Sequence, residues 1–469
     1  MKVAFLHPDL GIGGAERLVV DSALALKNRG HEVTIFTSHH DKKHCFPETK
    51  DGSLDVVVLG NSIFPRNIFG RGAILCAVLR QLHLVEQIRA RRLNFDVYVI
   101  DQLSAAIPVI YTGSTRSRIL FYCHFPDLLL TERKSILKKI YRLPFDALEK
   151  WTTGIADKIV VNSEFTKGIY RDTFGPNMPE PSVLYPVVDV KESEKSNLDH
   201  VTLRQLKKWT QVPVLISINR FERKKNLELA LESYSLLLHS TFEARESLLV
   251  IAGGYDERVS ENVEHLAELQ QRASKYRLPH KTIFPDEPFK LDKNTKVVFL
   301  PSVSNDVRNY LLENARLTLY TPTNEHFGIV PLESMKARTP VLATNTGGPL
   351  ETIVDGETGF LRKPDVEEWY KVMGWAILEA KPEELKRMGD AGYARVASKF
   401  SLSTLEENLD SLVKATQEMK RDDGRVVESQ LKVLQWSLVG AAVLFVFFLS
   451  WFYSFLRWFI PALFDSMTW

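Results

Sequence analysis

Two glutamates near the C-terminal third of the chain have the types and spacing of a sugar-binding pair. Glu325 and Glu333 stand eight positions apart in the segment NEHFGIVPLE, which is about two helical turns. Both carboxylates can therefore lie at the start and along one face of a single helix. Carboxylates accept hydrogen bonds from neutral hydroxyls, as binding a sugar or a ribose requires. Two glutamates at this spacing also occur by chance and are then usually solvated.

The residues between and after these glutamates add backbone donors. Phe327, Gly328 and Ile329 can direct N–H groups at a phosphate that enters the helix N-terminus. A second glycine turn, with Gly347 and Gly348 in the segment TNTGGPLE, follows nearby. This region is the most informative part of the sequence.

Two cations lie at the start of the second half of the chain. Arg220 and Lys225 occur in NRFERKKNLELAL, in the loop from a buried strand to a helix. A guanidinium fork and an ammonium near a helix N-terminus suit a diphosphate whose charge rises as a glycosyl bond breaks. Basic loop residues are common, but a position at the carboxyl end of a strand favours function.

A glycine-rich turn opens the chain, in DLGIGGAERLV. Gly11, Gly13 and Gly14 allow close backbone approach before a helix, so a phosphate can bind there. The spacing is not that of the dinucleotide motif, because Glu16 and Arg17 stand where a third glycine would come. A tight turn without a ligand is the alternative interpretation, and the missing motif disfavours a nicotinamide oxidoreductase.

The elements that position these residues alternate regularly. Short, almost wholly apolar runs separate longer helical segments, which predicts parallel sheets covered on both faces. The predicted strands are residues 3–7, 33–38, 55–60, 96–101, 119–124 and 158–163 in the first half, and 213–221, 248–254, 296–301, 317–322 and 340–344 in the second.

This pattern predicts an α/β protein with two doubly wound, Rossmann-like lobes facing a central cleft, where such folds bind ligands. The predicted parts are an acceptor-side lobe (residues 1–190), a linker (191–210), a nucleotide-sugar lobe (211–400), a C-terminal helix with a basic segment (401–430) and a membrane helix (436–456).

Composition excludes several classes of protein. The 469 residues include 60 Lys plus Arg against 58 Asp plus Glu, so the basic excess typical of nucleic-acid binding is absent. The three cysteines are an odd number, and two of them lie in apolar runs. They indicate reduced, structural thiols rather than a secreted disulfide framework.

Two segments indicate a membrane. Residues 436–456 contain no charge and would form a helix of roughly 31 Å, long enough to span a bilayer. Basic residues are concentrated before this segment, so the positive-inside rule places the body of the protein in the cytosol. Residues 132–151 also mix basic and apolar side chains in a pattern suited to an anionic surface, although a solvated helix over the core fits equally well.

Taken together, the motifs resemble those of the retaining glycosyltransferases of family 4, which have the GT-B fold. The resemblance covers about residues 1 to 420, with the motifs in the family's order. Within that family, YCHFPDLLL, INRFERKKNL and NEHFGIVPLE are similar to the eukaryotic mannosyltransferases of dolichol-linked oligosaccharide assembly. The carrying motifs are Gly-Gly-x-Glu at 13–16, the pair Arg220 and Lys225, Glu-x7-Glu at 325–333, and Gly-Gly before Glu351.

The resemblance implies a role for each matching residue. Arg220 and Lys225 would neutralise the GDP diphosphate, Glu325 would hold the mannose hydroxyls, and Glu333 the donor ribose. His124 matches the family's histidine near the transferred sugar, although a satisfied core histidine is the usual alternative. The remaining donor-binding predictions are Gly13, Gly14 and Glu16 from the first lobe and Phe327, Gly328 and Ile329 from the second. Because Arg220 and Lys225 would neutralise the diphosphate, the resemblance implies that no metal is required, and the sequence shows no metal-ligand cluster to contradict this. No cofactor is expected.

The expected activity is GDP-mannose-dependent transfer, with retention, of α-1,3 and α-1,6 mannose to a dolichyl-diphosphate oligosaccharide. The expected partners are this acceptor, the lipid bilayer and other transferases of the same assembly, and the expected location is the endoplasmic reticulum membrane, facing the cytosol. A family 4 transferase that uses a UDP-sugar and a catalytically silent GT-B scaffold remain as alternatives.

Overall fold

The computed structural model describes residues 1–67, 72–114, 116–130, 136–190 and 198–420, together with residues 428, 429, 432 and 435. Within these residues the chain forms two parallel seven-stranded sheets, each covered by helices. The predicted α/β class with two doubly wound lobes is confirmed.

The first lobe has the strand order β3-β2-β1-β4-β5-β6-β7. Its strands are β1 (Lys2–His7), β2 (Glu32–Thr37), β3 (Asp55–Val58), β4 (Val97–Asp101), β5 (Arg118–Cys123), β6 (Lys158–Val161) and β7 (Ser182–Val183). Its helices are α1 (Gly14–Asn28), α2 (Ala73–Ala90), α3 (Ile107–Gly113), α4 (Asp127–Leu130), α5 (Ile136–Ile155) and α6 (Glu164–Phe174), with a 3-10 turn at Pro47–Thr49.

Alternate residues of β1 show why this sheet is covered on both faces. Val3 and Phe5 pack into one core cluster, and Ala4 and Leu6 into another. Successive side chains of a strand point to opposite faces, so a continuously apolar strand needs a hydrophobic layer on each side.

The second lobe has the strand order β10-β11-β9-β8-β12-β13-β14. Its strands are β8 (Val214–Ile218), β9 (Leu248–Gly253), β10 (His280–Thr282), β11 (Val297–Pro301), β12 (Leu317–Tyr320), β13 (Val341–Thr344) and β14 (Gly359–Arg362). Its helices are α7 (His200–Trp209), α8 (Leu227–Ser240), α9 (Ser260–Lys275), α10 (Asn305–Asn314), α11 (Ile329–Lys336), α12 (Pro349–Thr352), α13 (Val366–Gly374) and α14 (Pro382–Lys399). Shorter turns occupy Arg223–Lys225, Glu243–Glu246 and Trp375–Glu379.

Sequence reasoning did not predict the short strands β7, β10 and β14. Each has between two and four residues, and all three are edge strands of their sheets. They lack the long apolar run that marks a buried strand, so their pairing depends on the neighbouring strand.

The C-terminal helix α15 (Leu402–Glu418) returns to the first lobe. Leu405, Leu409 and Val413 join the core cluster that contains β1 and α1. Beside them, Nε2 of His31 lies 2.8 Å from a carboxylate oxygen of Asp410. The chain therefore crosses between the lobes twice, and the two crossings meet where the N–H of Val188 donates to the carbonyl oxygen of Phe400 at 3.0 Å.

The predicted membrane helix at 436–456 lies outside the described residues. None of the helices within the described ranges combines the length and the apolar character that a bilayer crossing needs.

The predicted basic surface at residues 132–151 is wrong for one residue, Arg142. Arg142 is buried, and its Nη2 lies 2.7 Å from a carboxylate oxygen of Asp127 and 3.4 Å from one of Asp146. A buried guanidinium needs carboxylate partners, and these two carboxylates hold it away from the surface. The side chains of residues 133–138 and 141 lie outside the described ones.

Candidate active site

In the second lobe, an ion pair joins two loops at the edge of the sheet. Lys225 follows β8 and Glu325 follows β12, and these two strands are neighbours in the sheet. Nζ of Lys225 lies 2.5 Å from Oε2 of Glu325, with side-chain exposures of 11% and 24%. Burial raises the pKa of Glu325, but the charge and hydrogen bond of Lys225 outweigh it, so the pKa is lowered. Both predicted residues are brought together as a charged pair.

The start of α11 is shaped by Gly328. Its φ is +84°, and a Cβ there would lie 2.8 Å from the hydroxyl oxygen of Tyr320. Only glycine fits this combination of backbone angle and close approach. The helix that follows presents its first N–H groups, which have no partners within the helix, beside Glu325. This arrangement permits the predicted phosphate contact of the Gly328 and Ile329 backbone.

Glu333 lies on α11, and its side chain keeps 23% exposure. Burial raises the pKa of its carboxyl, and the charge of Arg308, 3.4 Å away, offsets this only in part. A partly buried carboxylate of this kind gains from a hydroxyl donor. The position is compatible with the predicted ribose contact, which stays a prediction.

The second glycine turn supports the loop that carries Glu325. Cβ atoms at Gly347 and Gly348 would lie 2.5 Å from the carbonyl oxygen of Glu325 and 2.1 Å from that of Phe327. The N–H of Gly348 donates to the carbonyl of Glu325 at 2.8 Å. These glycines are therefore explained by backbone packing. The Phe327 ring is buried against Phe400, so only its backbone is available to a ligand.

Arg220 lies in the loop that follows β8. Its side chain is 59% exposed, and Nη1 lies 2.8 Å from a carboxylate oxygen of Glu222. Exposed ion pairs contribute little and rearrange readily. Arg220 is therefore free to exchange Glu222 for an incoming phosphate.

The opening glycine turn lies on the first lobe, at the N-terminus of α1. Gly13 is the N-cap, and a Cβ there would lie 2.3 Å from Oε2 of Glu16, whose side chain folds back over the turn. A Cβ at Gly14 would have no other atom within 4 Å. The turn thus has room for a ligand at Gly14, while Glu16 occupies the space at Gly13.

His124 belongs to a buried charge network that sequence reasoning did not predict. Its Nε2 lies 2.6 Å from Oδ1 of Asp101, while Nδ1 of His7 lies 2.7 Å from Oδ2 of the same carboxylate. Nε2 of His7 lies 4.0 Å from a carboxylate oxygen of Glu16. His7 and Asp101 are the last residues of β1 and β4, and His124 follows β5, so adjacent strands bring them together.

The network sets the charges of His7 and Asp101. Burial lowers the pKa of His7, but Asp101 and Glu16 outweigh it and raise the pKa to about 9. Burial raises the pKa of Asp101, but His124 and His7 outweigh it and lower the pKa to about 2. Asp101 is therefore an ionised carboxylate beside His124. The signal available in the sequence was a polar residue at the last position of each predicted strand.

His326 connects the two lobes. Its ring stacks on Phe125 with centroids 3.7 Å apart and an angle of 5° between the planes. Burial lowers the pKa of His326 to about 4, so the ring is neutral at pH 7. Because Phe125 follows His124 and His326 follows Glu325, the stack brings both predicted residues to one part of the cleft. Sequence reasoning missed His326, which had no pattern of its own.

Within the described residues, one group of side chains that the sequence spacing did not indicate has ligand atoms close together. Ligand atoms of Glu228, His265 and Glu268, on α8 and α9, lie within 4.8 Å of one another. Nη2 of Arg223 already lies 2.6 Å from a carboxylate oxygen of Glu268. That cation offsets the negative charge a metal would need, so we assign no ion here.

Two Rossmann-like lobes, with cations, carboxylates and helix N-termini at the facing sheet edges, define a glycosyltransferase of the GT-B type. The model for "Glycosyltransferase Family 4" matches residues 12–192, and that for "Glycosyl transferases group 1" matches residues 202–287 and 289–395. Among solved structures, the sucrose-phosphate synthase of Thermosynechococcus elongatus has a TM-score of 0.66 at 18% identity, covering 88% of this chain and 98% of that one. The Anabaena protein Alr3699/HepE with UDP and glucose has a TM-score of 0.64 at 17% identity, covering 88% and 100%.

Curated relatives show which kind of glycosyltransferase the chain resembles. Alpha-1,3/1,6-mannosyltransferase alg-2 of Neurospora crassa is 46% identical over 456 residues, covering 94% of each chain. The corresponding protein of Dictyostelium discoideum is 43% identical, covering 88% of this chain and 98% of its own, and that of Yarrowia lipolytica is 48% identical, covering 80% and 83%. The chain belongs to the alpha-1,3/1,6-mannosyltransferase family.

Proposed function

We propose that the protein transfers mannose from GDP-mannose to a dolichyl-diphosphate-linked oligosaccharide, with retention of configuration. One α-1,3 and one α-1,6 linkage convert the Man1GlcNAc2 acceptor to Man3GlcNAc2 for protein N-glycosylation. Family membership supports the activity, since the relatives carry it in their names. The catalytic body faces the cytosol at the endoplasmic reticulum membrane, where other transferases of the assembly are possible partners.

The observation that carries the proposal is the stack of Phe125 on His326. It places the His124 end of the first lobe against the loop that contains Glu325. A transferase of activated sugars needs donor-binding and acceptor-binding groups on opposite sides of one closed cleft. The stack supplies that juxtaposition between the two lobes.

Donor binding follows from the charges of the second lobe. Arg220, Lys225 and the N-terminus of α11 present positive potential to a diphosphate. An ammonium has three donors, so Lys225 can keep Glu325 as a partner while it contacts phosphate. Glu325 then holds mannose hydroxyls, and Glu333 the ribose. These cations replace a divalent ion in neutralising the leaving group, so we expect transfer to persist in EDTA.

The chemistry of retention proceeds on one face of the sugar. The bond from the anomeric carbon to the GDP phosphate oxygen breaks, and the acceptor hydroxyl oxygen bonds to that carbon from the same side. The hydroxyl proton passes to the departing phosphate oxygen. The positive charges of Arg220 and Lys225 stabilise the charge that develops on this phosphate. His124, beside the anionic Asp101, lies where it can contact the transferred sugar.

An exposed apolar surface on α4 and α5 supports a lipid acceptor. Four large apolar side chains around α4 and α5 are between 48% and 61% exposed, and the described Lys139 is exposed among them. Such a patch suits the headgroup region of a bilayer. These four side chains are Leu129, Leu130, Ile140 and Leu143.

Vesicle flotation tests this surface. A chain lacking residues 430–469 should float with anionic liposomes, and replacing Leu130 and Leu143 by Ser should abolish this. Replacement of Phe242, an apolar side chain that is 74% exposed elsewhere on the protein, is the control. Failure of the truncated chain to float would remove this part of the proposal.

The decisive test is transfer itself. Purified protein is incubated with GDP-mannose and a phytanyl-diphosphate-linked trisaccharide, and product mass and linkage are determined. We expect two added hexoses, one in each linkage, and none with UDP-sugars. No added hexose with GDP-mannose would overturn the assignment, while transfer from a UDP-sugar would favour another family 4 activity.

A further inference from the structure

Glu351 follows the second glycine turn, and none of the roles above uses its side chain. It lies on α12 in the second lobe, yet its carboxylate contacts the first lobe. The backbone N–H groups of Glu164 and Phe165 donate to its two oxygens, at 2.8 Å each. These are the first N–H groups of α6, which have no partners within that helix. A carboxylate at a helix N-terminus is also favoured by the helix dipole.

The backbone of Glu351 is itself held in the second lobe. Arg395, on α14, donates to the carbonyl oxygens of Glu351 and Thr352, at 2.7 Å each. The side chain therefore cannot follow α6 if the lobes separate, and opening of the cleft must break both hydrogen bonds to α6.

A second contact lies next to this one. Ser163, the N-cap of α6, accepts from the N–H of Thr166 at 2.9 Å and donates to the carbonyl oxygen of His326 at 2.5 Å. Both lobe contacts thus end on the same helix N-terminus. One of them continues directly into the Glu325 and His326 loop, whose backbone the Gly348 N–H also supports.

We propose that Glu351 is a positioning residue, whose contact with α6 closes the cleft and aligns the Glu325 loop with His124. It touches neither donor nor acceptor and acts through α6, Ser163 and His326. The proposal rests on the proposed transferase function. It predicts that donor binding to the second lobe is independent of Glu351, whereas transfer, which needs both lobes, is not.

The test compares the full-length protein with Glu351→Ala, Glu351→Gln and the control Glu357→Ala, whose side chain is exposed in the same segment. GDP affinity is measured by calorimetry, transfer by the mannose assay, and protection of the α6 amides by hydrogen exchange. In Glu351→Ala we expect faster exchange at residues 164–165, unchanged GDP affinity, and turnover lowered roughly 10- to 100-fold, the scale of a small misalignment of reacting groups. Glu351→Gln keeps one acceptor oxygen and should lie between Glu351→Ala and the wild type.

Three outcomes separate the possibilities. Wild-type transfer with undiminished turnover in Glu351→Ala overturns the positioning role. Equal loss of GDP affinity, melting temperature and turnover also overturns it, because it indicates a purely structural residue. If the wild type itself transfers no mannose, the proposed function fails, while hydrogen exchange and GDP binding still report whether Glu351 holds the cleft closed.

Discussion

Replacement of Lys225 by Met is the sharpest test of the second-lobe site. The substitution keeps most of the length of the side chain and removes the ammonium that lies 2.5 Å from Glu325. Two effects follow: the carboxylate of Glu325 loses its partner, and the leaving diphosphate loses a cation. The first effect lowers stability and the second lowers turnover, so the two can be measured separately.

The size of each effect follows from burial and charge. Breaking a fully buried ion pair costs about 3–5 kcal/mol. The Lys225 and Glu325 side chains keep 11% and 24% exposure, so water solvates part of the charge left behind, and we expect about 1–3 kcal/mol. Loss of a group that stabilises transition-state charge lowers turnover by about 10²–10³-fold. The combined phenotype is a melting temperature lower by a few degrees and nearly absent transfer.

Two neighbouring variants serve as controls. Lys224→Met removes a cation that is 67% exposed and forms its ion pair with Glu222, so stability and transfer should stay close to wild type. Arg220→Ala removes an exposed cation from the proposed phosphate site, so transfer should fall while the melting temperature holds. The assays are differential scanning fluorimetry and transfer from GDP-mannose. A Lys225→Met protein with wild-type transfer would refute the assignment of Lys225 to the leaving group.

Three further predictions concern the remaining site residues. Asp101→Asn removes the main partner of His7, whose pKa is raised to about 9, so protonated His7 stabilises the fold fully below about pH 6.5 and less as the pH rises through 9. Thermal denaturation of the variant from pH 6 to 10 should therefore show a lower melting temperature at pH 6 and a flatter pH profile than the wild type. An unchanged pH profile would contradict the His7 and Asp101 network. Gly14→Ala should keep the melting temperature, because no other atom lies within 4 Å of the new Cβ, and should raise the KM for donor. Gly348→Ala should lower the melting temperature, because its Cβ would lie 2.1 Å from a carbonyl oxygen. The reverse order of melting temperatures would contradict this. Glu333→Gln should raise the KM for donor without lowering stability, because burial already disfavours the charged carboxylate. Steady-state kinetics and fluorimetry test this, and an unchanged KM or a lower melting temperature would contradict it.

The local pattern of apolar residues was sufficient to predict most of the strands. Each long strand of both sheets was predicted because a strand buried on two faces must be apolar at every position, as Val3, Ala4, Phe5 and Leu6 are. The Lys225 and Glu325 loops were found because both follow such strands. By contrast, the inward turn of Arg142 could not be predicted, since its partner Asp127 lies on a separate short helix, α4.

The sequence by itself determined the two-lobed α/β class and the residue types of the donor site, since these depend on periodicity and on short motifs whose members are close along the chain. Only the tertiary structure decided which distant residues meet. Asp101 joins His7 to His124 because the sheet places β1, β4 and β5 side by side, and Glu351 reaches α6 across 186 to 187 positions of sequence. Such contacts leave no spacing signal, because they depend on strand order and on how the two lobes dock, and neither is encoded within one segment.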